Sequence, residues 1–235
     1  MNGQATALHA QGIHVISTDE KTGIQALERQ HPTMPMKIGQ VEKREFNYIR
    51  HGTQVLIGNL EIATGKSIAP TVGDTRTEKD FATHIEQTIA TDEQATWWFI
   101  LDQLNTHKSE TLVKLVAQKI GDKQDLGIKG RKGILKNMNT RMAYLQDKSH
   151  RIRFVYTPKH CSWLNLIECF FSGFARRVIH RGNFKNKEDL KSKILDYISY
   201  YNQHLANIFN WSIISNNDIK VMIDKIKNYI LEFMS

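Results

Sequence analysis

Of 235 residues, only two are cysteine and four are proline. Two thiols, Cys161 and Cys169, are too few for a thiolate zinc site and imply no disulfide framework. Both flank a predicted helix start and read as small apolar residues. Long apolar runs are also missing, and none reaches the length needed to span a bilayer. The N-terminal MNGQATALHAQG has no basic n-region and no apolar h-region, so no secretory signal is read. Internal repeats and low-complexity tracts are absent. These absences point to a cytoplasmic protein with no membrane partner.

What is present is an ordinary globular mix, 40% hydrophobic and 24% charged. The net charge is +8 and the pI about 9.4. Between Lys119 and Lys159 eleven Lys and Arg face three acids, Asp122, Asp125 and Asp147, so this segment holds the whole formal excess. Clustering of one sign favours a polyanion partner, here nucleic acid, over a solvated surface loop.

The stretch that organises the chain is Trp97–Asp102. Five uninterrupted apolar residues read as a strand buried on both faces, stopping on a carboxylate. Ser109-Glu110 then opens helical spacing at Leu112, Val113, Val116 and Ile120. An acid at a strand's carboxyl edge sits where open α/β sheets tend to hold ligands. Ile13–Asp19 reads as another strand ending in an acid, with Val15, Ser17 and Asp19 on one face. Glu20–Gly23 follows as a turn.

Glu45–Arg50, Gln54–Ala63 and Ser67–Val72, separated by His51-Gly52-Thr53 and Thr64-Gly65-Lys66, predict an antiparallel meander. Thr77–Asp80 fits a capping box before a helix with Phe81, Ile85 and Ile89 on one face. Gly121 to Lys148 reads as a basic insertion with a short helix near Leu135–Leu145. Arg151–Thr157 predicts a strand. Leu164, Ile167, Phe171, Phe174 and Val178 mark an amphipathic helix with Glu168 on the stripe's flank. Asn186 caps a last clear helix with Leu190, Ile194, Leu195, Ile198 and Tyr201 inward. Beyond Trp211 a further amphipathic pattern runs through Ile219, Ile223, Ile226, Ile230 and Phe233. The order predicts an α/β chain: a mixed sheet, antiparallel meander plus parallel strands, flanked by helices. By fold-level analogy this is the ribonuclease H-like arrangement.

Asp19, Asp102 and Glu168 are far apart in sequence, and no local motif links them. On their own they read equally well as a turn Asp, a capping Asp and a helix-flank Glu. Brought together, three carboxylates repel one another unless hard cations sit between them. Mg²⁺ prefers oxygen ligands and needs few carboxylates per ion. Two such ions about 3.5–4 Å apart can clamp an in-line phosphoryl displacement.

The segments STDEKTGIQALER (17–29), KREFNYIRHGTQVLIGNLEIATGKSIAP (43–70), TRTEKDFATHI (75–85), LDQLNTHKSE (101–110) and RFVYTPKHCSWLNLIECFFSGFARRVI (153–179) resemble a DDE transposase of bacterial insertion sequences. The likeness is to the mariner-like superfamily, over roughly residues 13 to 205. It implies that Asp19, Asp102 and Glu168 are the catalytic and metal-binding acids. It also implies two Mg²⁺ or Mn²⁺ ions, nicking of double-stranded DNA at transposon ends, and strand transfer into target DNA by the freed 3′-hydroxyl. Asn105 and His107 follow the second acid as in the family, where they would orient Asp102 or contact phosphate. A helix N-cap and a surface histidine are the alternatives. Trp163 and Asn165 precede Glu168 in the same way, with core packing favoured for Trp163 over base stacking.

Two departures bear on the reading. Only eighteen residues precede Asp19, too few for the family's N-terminal helix-turn-helix domains, and the pattern blurs after Tyr201. The expectation is therefore a ribonuclease H-like DDE catalytic domain over 1–211, with the basic insertion at about 121–149. A C-terminal helical tail over 212–235 is not matched to the family. Lys129, Arg131, Lys132, Lys136, Arg141, Lys159, Arg176 and Arg177 would contact DNA, and a homodimer or a full-length transposase would be the protein partner. Localisation would be cytoplasmic, on the nucleoid. The rivals are an inactive DNA-binding remnant of a transposase and a host ribonuclease or resolvase on the same fold.

Overall fold

The chain enters its sheet through a short helix and one long strand. The computed structural model describes residues 2–32, 34–43, 45–158 and 165–208. In it α1 (Asn2–His9), which the sequence did not announce, leads into β1 (Ile13–Arg29). β1 does not stop at Asp19. It goes on pairing with β2 (Tyr48–Glu61), with register shifts between Lys21 and Ile24 and between Gln25 and Leu27. Gly23 and Gly52 adopt φ of +67° and +113°, so glycines that read as turns are absorbed as irregularities within continuous strands. The predicted turns at Glu20–Gly23 and His51–Thr53 therefore lie inside strands, and Asp19 stands mid-strand. The meander's third strand shrinks to β3 (Thr71–Gly73).

The sheet order is β3-β2-β1-β4-β5. β3, β2 and β1 are antiparallel neighbours. β4 (Thr96–Leu101) lies parallel to β1, and β5 (Ile152–Tyr156) parallel to β4. This antiparallel front with two parallel additions is the ribonuclease H-like mixed sheet that the element order predicts.

Helices cover both faces. On one, α2 (Glu78–Ile89), α3 (Glu110–Ile120) and α4 (Met138–Leu145) bury Ile16, Ile57, Phe81, Ile85, Trp97, Phe99, Val116 and Phe154. On the other, α1, α5 (Ile167–Phe174) and α6 (Lys187–His204) close over Val15, Leu56, Leu60, Phe171, Phe174 and Ile194. β4, predicted to be buried on both faces, alternates: Trp97, Phe99 and Leu101 are buried, while Trp98 and Ile100 are half-buried. The caps form where the polar residues fall. Thr77 and Asp80 make a reciprocal capping box on α2, Ser109 caps α3, and Gly121 at φ +72° ends it.

The basic segment packs against the first core. Leu135, Tyr144 and Leu145 sink into the first core and anchor it. Two further expectations fail on exposure. Leu195 faces outward on α6, and Cys169 is exposed on α5 rather than packed as a small apolar residue. Lys159, Cys161, Trp163, Leu164 and the tail at 212–235 lie outside the described residues. Among the described residues no helix is long and apolar enough to cross a membrane.

Candidate catalytic site

Two aspartates reach one edge of the sheet because β1 and β4 run parallel and adjacent. Ser17 pairs with Ile100, and each aspartate stands two residues beyond that pair. Asp19 shares the Val15–Ser17 face, which looks toward α5. Glu20 takes the opposite face.

The helix carrying Glu168 is pinned to β1 by a polar latch. The Ser17 hydroxyl donates to the Asn165 side-chain oxygen and accepts from the Ile167 N–H at 3.0 Å. A strand residue thus satisfies one of the unpaired amides that open α5. Asn165 in turn donates to the Thr18 carbonyl at 2.8 Å and to the Asp19 carboxylate at 3.3 Å. Both Ser17 and Asn165 are buried. Close approach is also permitted by Gly58, the β2 partner of Asp19. A Cβ there would meet Ile167 Cδ1 at 2.9 Å and Phe171 Cε1 at 3.1 Å.

Asp19 titrates high, at about 6, chiefly because of its burial. The negative charges of Asp102, Glu20 and Glu168 add to the rise, against a hydrogen bond from the Glu20 N–H. The Asp19 carboxyl therefore feels the charge of both other acids. Glu168 itself is exposed. The oxygens of the three acids do not gather as a threesome within 4.8 Å.

Asp102 is the opposite case. A hydrogen bond with His107 holds its carboxyl below the usual range, helped by the Leu104 N–H and the charges of His107 and Lys108, against partial burial. His107 Nδ1 lies 2.9 Å from Asp102 Oδ1, and its Nε2 lies 3.1 Å from Glu20 Oε1. Burial works against charge on this ring, but the hydrogen bonds to Asp102 and Glu20 prevail and raise it to about 9. The imidazolium sits fully buried beneath Asp102, against the Phe81 ring with centroids 4.3 Å apart. It is neither a surface histidine nor placed to meet phosphate. Asn105 opens a 3-10 turn (Asn105–Lys108) and is exposed, while the N-cap of α3 is Ser109.

The expected phosphate contacts divide. Lys129, Arg131, Lys132 and Lys136 are exposed in the loop before α4. Lys129 leans toward Glu110 at 3.7 Å and Lys132 toward Asp125 at 3.5 Å. Arg176 and Arg177 are exposed on a π-helical turn that continues α5. Arg141 is buried on the packed side of α4, so it does not add to that surface. Glu20, Ser17 and Gly58 are the residues that the sequence reading passed over. Strand alternation carries a signal for Glu20: a carboxylate on a core-facing position needs a buried partner.

Candidate metal ligands are thus Asp19, Asp102 and Glu168. The fit is chemical: each of the three offers carboxylate oxygens, and burial with the charges of Asp102, Glu20 and Glu168 holds Asp19 above its ordinary range. An all-oxygen set of this kind suits a hard divalent ion.

The sequence profile of the DDE superfamily endonucleases matches residues 14–191, a span that includes all three acids. Among solved structures, the Mos1 mariner paired end complex with Mn is similar at 9% identity and a TM-score of 0.49, over 84% of this chain and 52% of that one. The Mos1 transposase paired-end complex with left transposon end gives 9% and 0.49, over 84% and 53%. The chain therefore spans about half the length of these solved chains. No curated protein matches it. With well over half of its length matched, the chain belongs to the DDE superfamily endonucleases.

Proposed function

We propose that this chain is a transposase catalytic domain that cuts DNA at transposon ends and joins the freed 3′-hydroxyl to target DNA. The observation that supports the reading is that Asp19 and Asp102 each stand two residues past the Ser17–Ile100 pair of neighbouring parallel strands, with Asp19 pushed up to about 6, chiefly by burial and in part by the charges of Asp102 and Glu168. Asp19, Asp102 and Glu168 would hold Mg²⁺ or Mn²⁺, two ions in all. Bound there, such ions lower the pKa of an attacking water or hydroxyl and stabilise the leaving oxygen.

The rest of the chemistry belongs to the chain. His107 keeps Asp102 ionised and fixes its orientation. Asn165 and Ser17 tie the start of α5, the helix that carries Glu168, to β1 beside Asp19. The exposed Lys129, Arg131, Lys132, Lys136, Arg176 and Arg177 supply a sequence-independent, salt-sensitive attraction for phosphates. We propose the same phosphate-contacting role for Lys159.

The test is nicking of supercoiled plasmid in Mg²⁺ or Mn²⁺. Wild type is expected to nick, and alanine at any one of the three acids to abolish nicking while DNA binding survives. Retained cleavage by Glu168→Ala would remove that acid from the mechanism. The open arrangement of the triad favours one second reading, a DNA-binding remnant that binds without cutting. It predicts no nicking by wild type at any concentration of either ion.

A further inference from the structure

At the other end of β1, five residues before Asp19 and about 16 Å away along an extended strand, lies a second cluster of ligand atoms. It joins three elements: His9 from the last turn of α1, His14 from the start of β1, and Glu61 from the end of β2. One ligand atom from each lies within 4.8 Å of the others. His14 Nδ1 is 2.6 Å and His9 Nε2 3.3 Å from the same Glu61 oxygen, Oε1. The Glu61 side chain is only 5% exposed, and its ion-pair partners among the described residues are these two imidazoles.

We propose that His9, His14 and Glu61 form a second metal site, of the zinc class, which fastens α1 to the sheet. Two imidazoles and a carboxylate are a known zinc donor set, with a fourth position left for water. Imidazole nitrogens favour zinc or a later transition ion over the hard Mg²⁺ that an all-oxygen triad suits. In a tetrahedral site with bonds of about 2.0–2.1 Å, ligand atoms stand about 3.3 Å apart. The His9–Glu61 pair already has that separation, and the His14–Glu61 pair reaches it by opening less than an ångström.

The surroundings hold each ligand in place. Thr64 Oγ1 donates to Glu61 Oε2 at 2.6 Å, which occupies the second carboxylate oxygen and leaves Oε1 to the ion. His14 Nε2 lies 3.6 Å from the exposed Asp92 carboxylate, beyond direct hydrogen-bond distance. The His14 ring also stacks on Trp97, with centroids 4.3 Å apart and planes 16° from parallel. His9, at 38% exposure, is the open side through which an ion enters. None of these residues belongs to the acid triad, so the proposal stands independently of the chemistry assigned to it.

The test uses the full chain with the triad disarmed by Asp19→Asn and Glu168→Gln, titrated with Zn²⁺ and, for a spectrum, with Co²⁺. One equivalent of Zn²⁺ is expected to bind and raise the melting temperature, and Co²⁺ to give the visible bands of a tetrahedral N/O site. Adding His9→Ala, a half-exposed position that leaves the metal-free fold intact, should weaken binding about 100-fold or more and abolish the Co²⁺ bands. The proposal is overturned if the disarmed chain binds no Zn²⁺, or if His9→Ala leaves stoichiometry, affinity and melting shift unchanged. Metal-free melting curves of each variant confirm that it is folded.

Discussion

His107 Nδ1 lies 2.9 Å from Asp102 Oδ1, deep enough that the imidazole has no exposed surface. The ring's other nitrogen meets Glu20, whose side chain is 1% exposed, so one buried cation serves two carboxylates. Removing the cation has two separable consequences. His107→Leu strands Glu20, and breaking a buried pair from one side costs about 3–5 kcal/mol. The double variant Glu20→Leu with His107→Leu should regain most of that loss. Asp102 loses its positioning partner in both, so metal-dependent nicking should fall about 10–100-fold in both. Urea unfolding and nicking rates on the same three proteins check this. Activity that recovers together with stability would reduce His107 to a structural role.

Asp19 predicts a conflict between stability and activity. Its folded pKa, about 6, is above the ordinary 3.8. The folded state therefore holds a proton more tightly than the unfolded chain, and stability from this group is lost as pH rises from 3.8 through 6. At pH 7.5 without divalent ions, Asp19→Asn should stabilise the protein by about 1–2 kcal/mol, allowing for solvent screening of a partly exposed group. Mg²⁺ should raise the melting temperature of wild type but not that of the variant, and nicking should vanish. Calorimetry with and without Mg²⁺ reads both effects.

Gly58 offers a third measurement, on a residue with no chemistry of its own. An alanine Cβ there presses on Ile167 and Phe171 in a closed core. Overpacking of this kind costs about 1–3 kcal/mol. Because the same helix carries Glu168, Gly58→Ala should also lower the nicking rate at temperatures where the variant is fully folded. A variant that melts earlier yet nicks at the wild-type rate would show that α5 relaxes without moving its acid.

These positions mark how far the sequence could be read. The β4 apolar run ending at Asp102, the Thr77–Asp80 box and the Ser109 and Asn186 caps were legible, because each depends on neighbours a few residues away. The continuity of β1 was not. Gly23 has the signature of a turn, and only the partner strand decides that it is an irregularity instead. The α1 helix escaped notice because its stretch lacks a clear apolar stripe. The three acids could be named from a family resemblance, but not what holds them. The bond between Ser17 and Asn165 spans 148 residues, and the contact of Glu20 with His107 spans 87. Pairings at that range follow from the folded sheet and leave no periodic trace in the chain.

The last prediction concerns His84, far from the acids in function. It is fully buried on α2, with Nδ1 2.8 Å from Thr71 Oγ1. Nε2 has no hydrogen-bond partner. Burial pushes its pKa down to about 3 from 6.5, so the folded protein keeps it neutral throughout the physiological range. The unfolded chain, by contrast, protonates it below about 6.5. Between pH 6.5 and 3 the unfolded state therefore binds the extra proton, and stability falls as pH falls, by up to about 1.4 kcal/mol per unit. His84→Leu removes this one contribution and leaves every other titrating group in place. Thr71 keeps a bond to Gln87 at 3.2 Å, so its hydroxyl is not stranded. From pH 7.5 to pH 5, wild type should lose about 2 kcal/mol more than the variant, measured by urea unfolding at both pH values. Equal losses would mean that His84 takes up a proton in the folded state at pH 5, which its lack of exposed surface argues against.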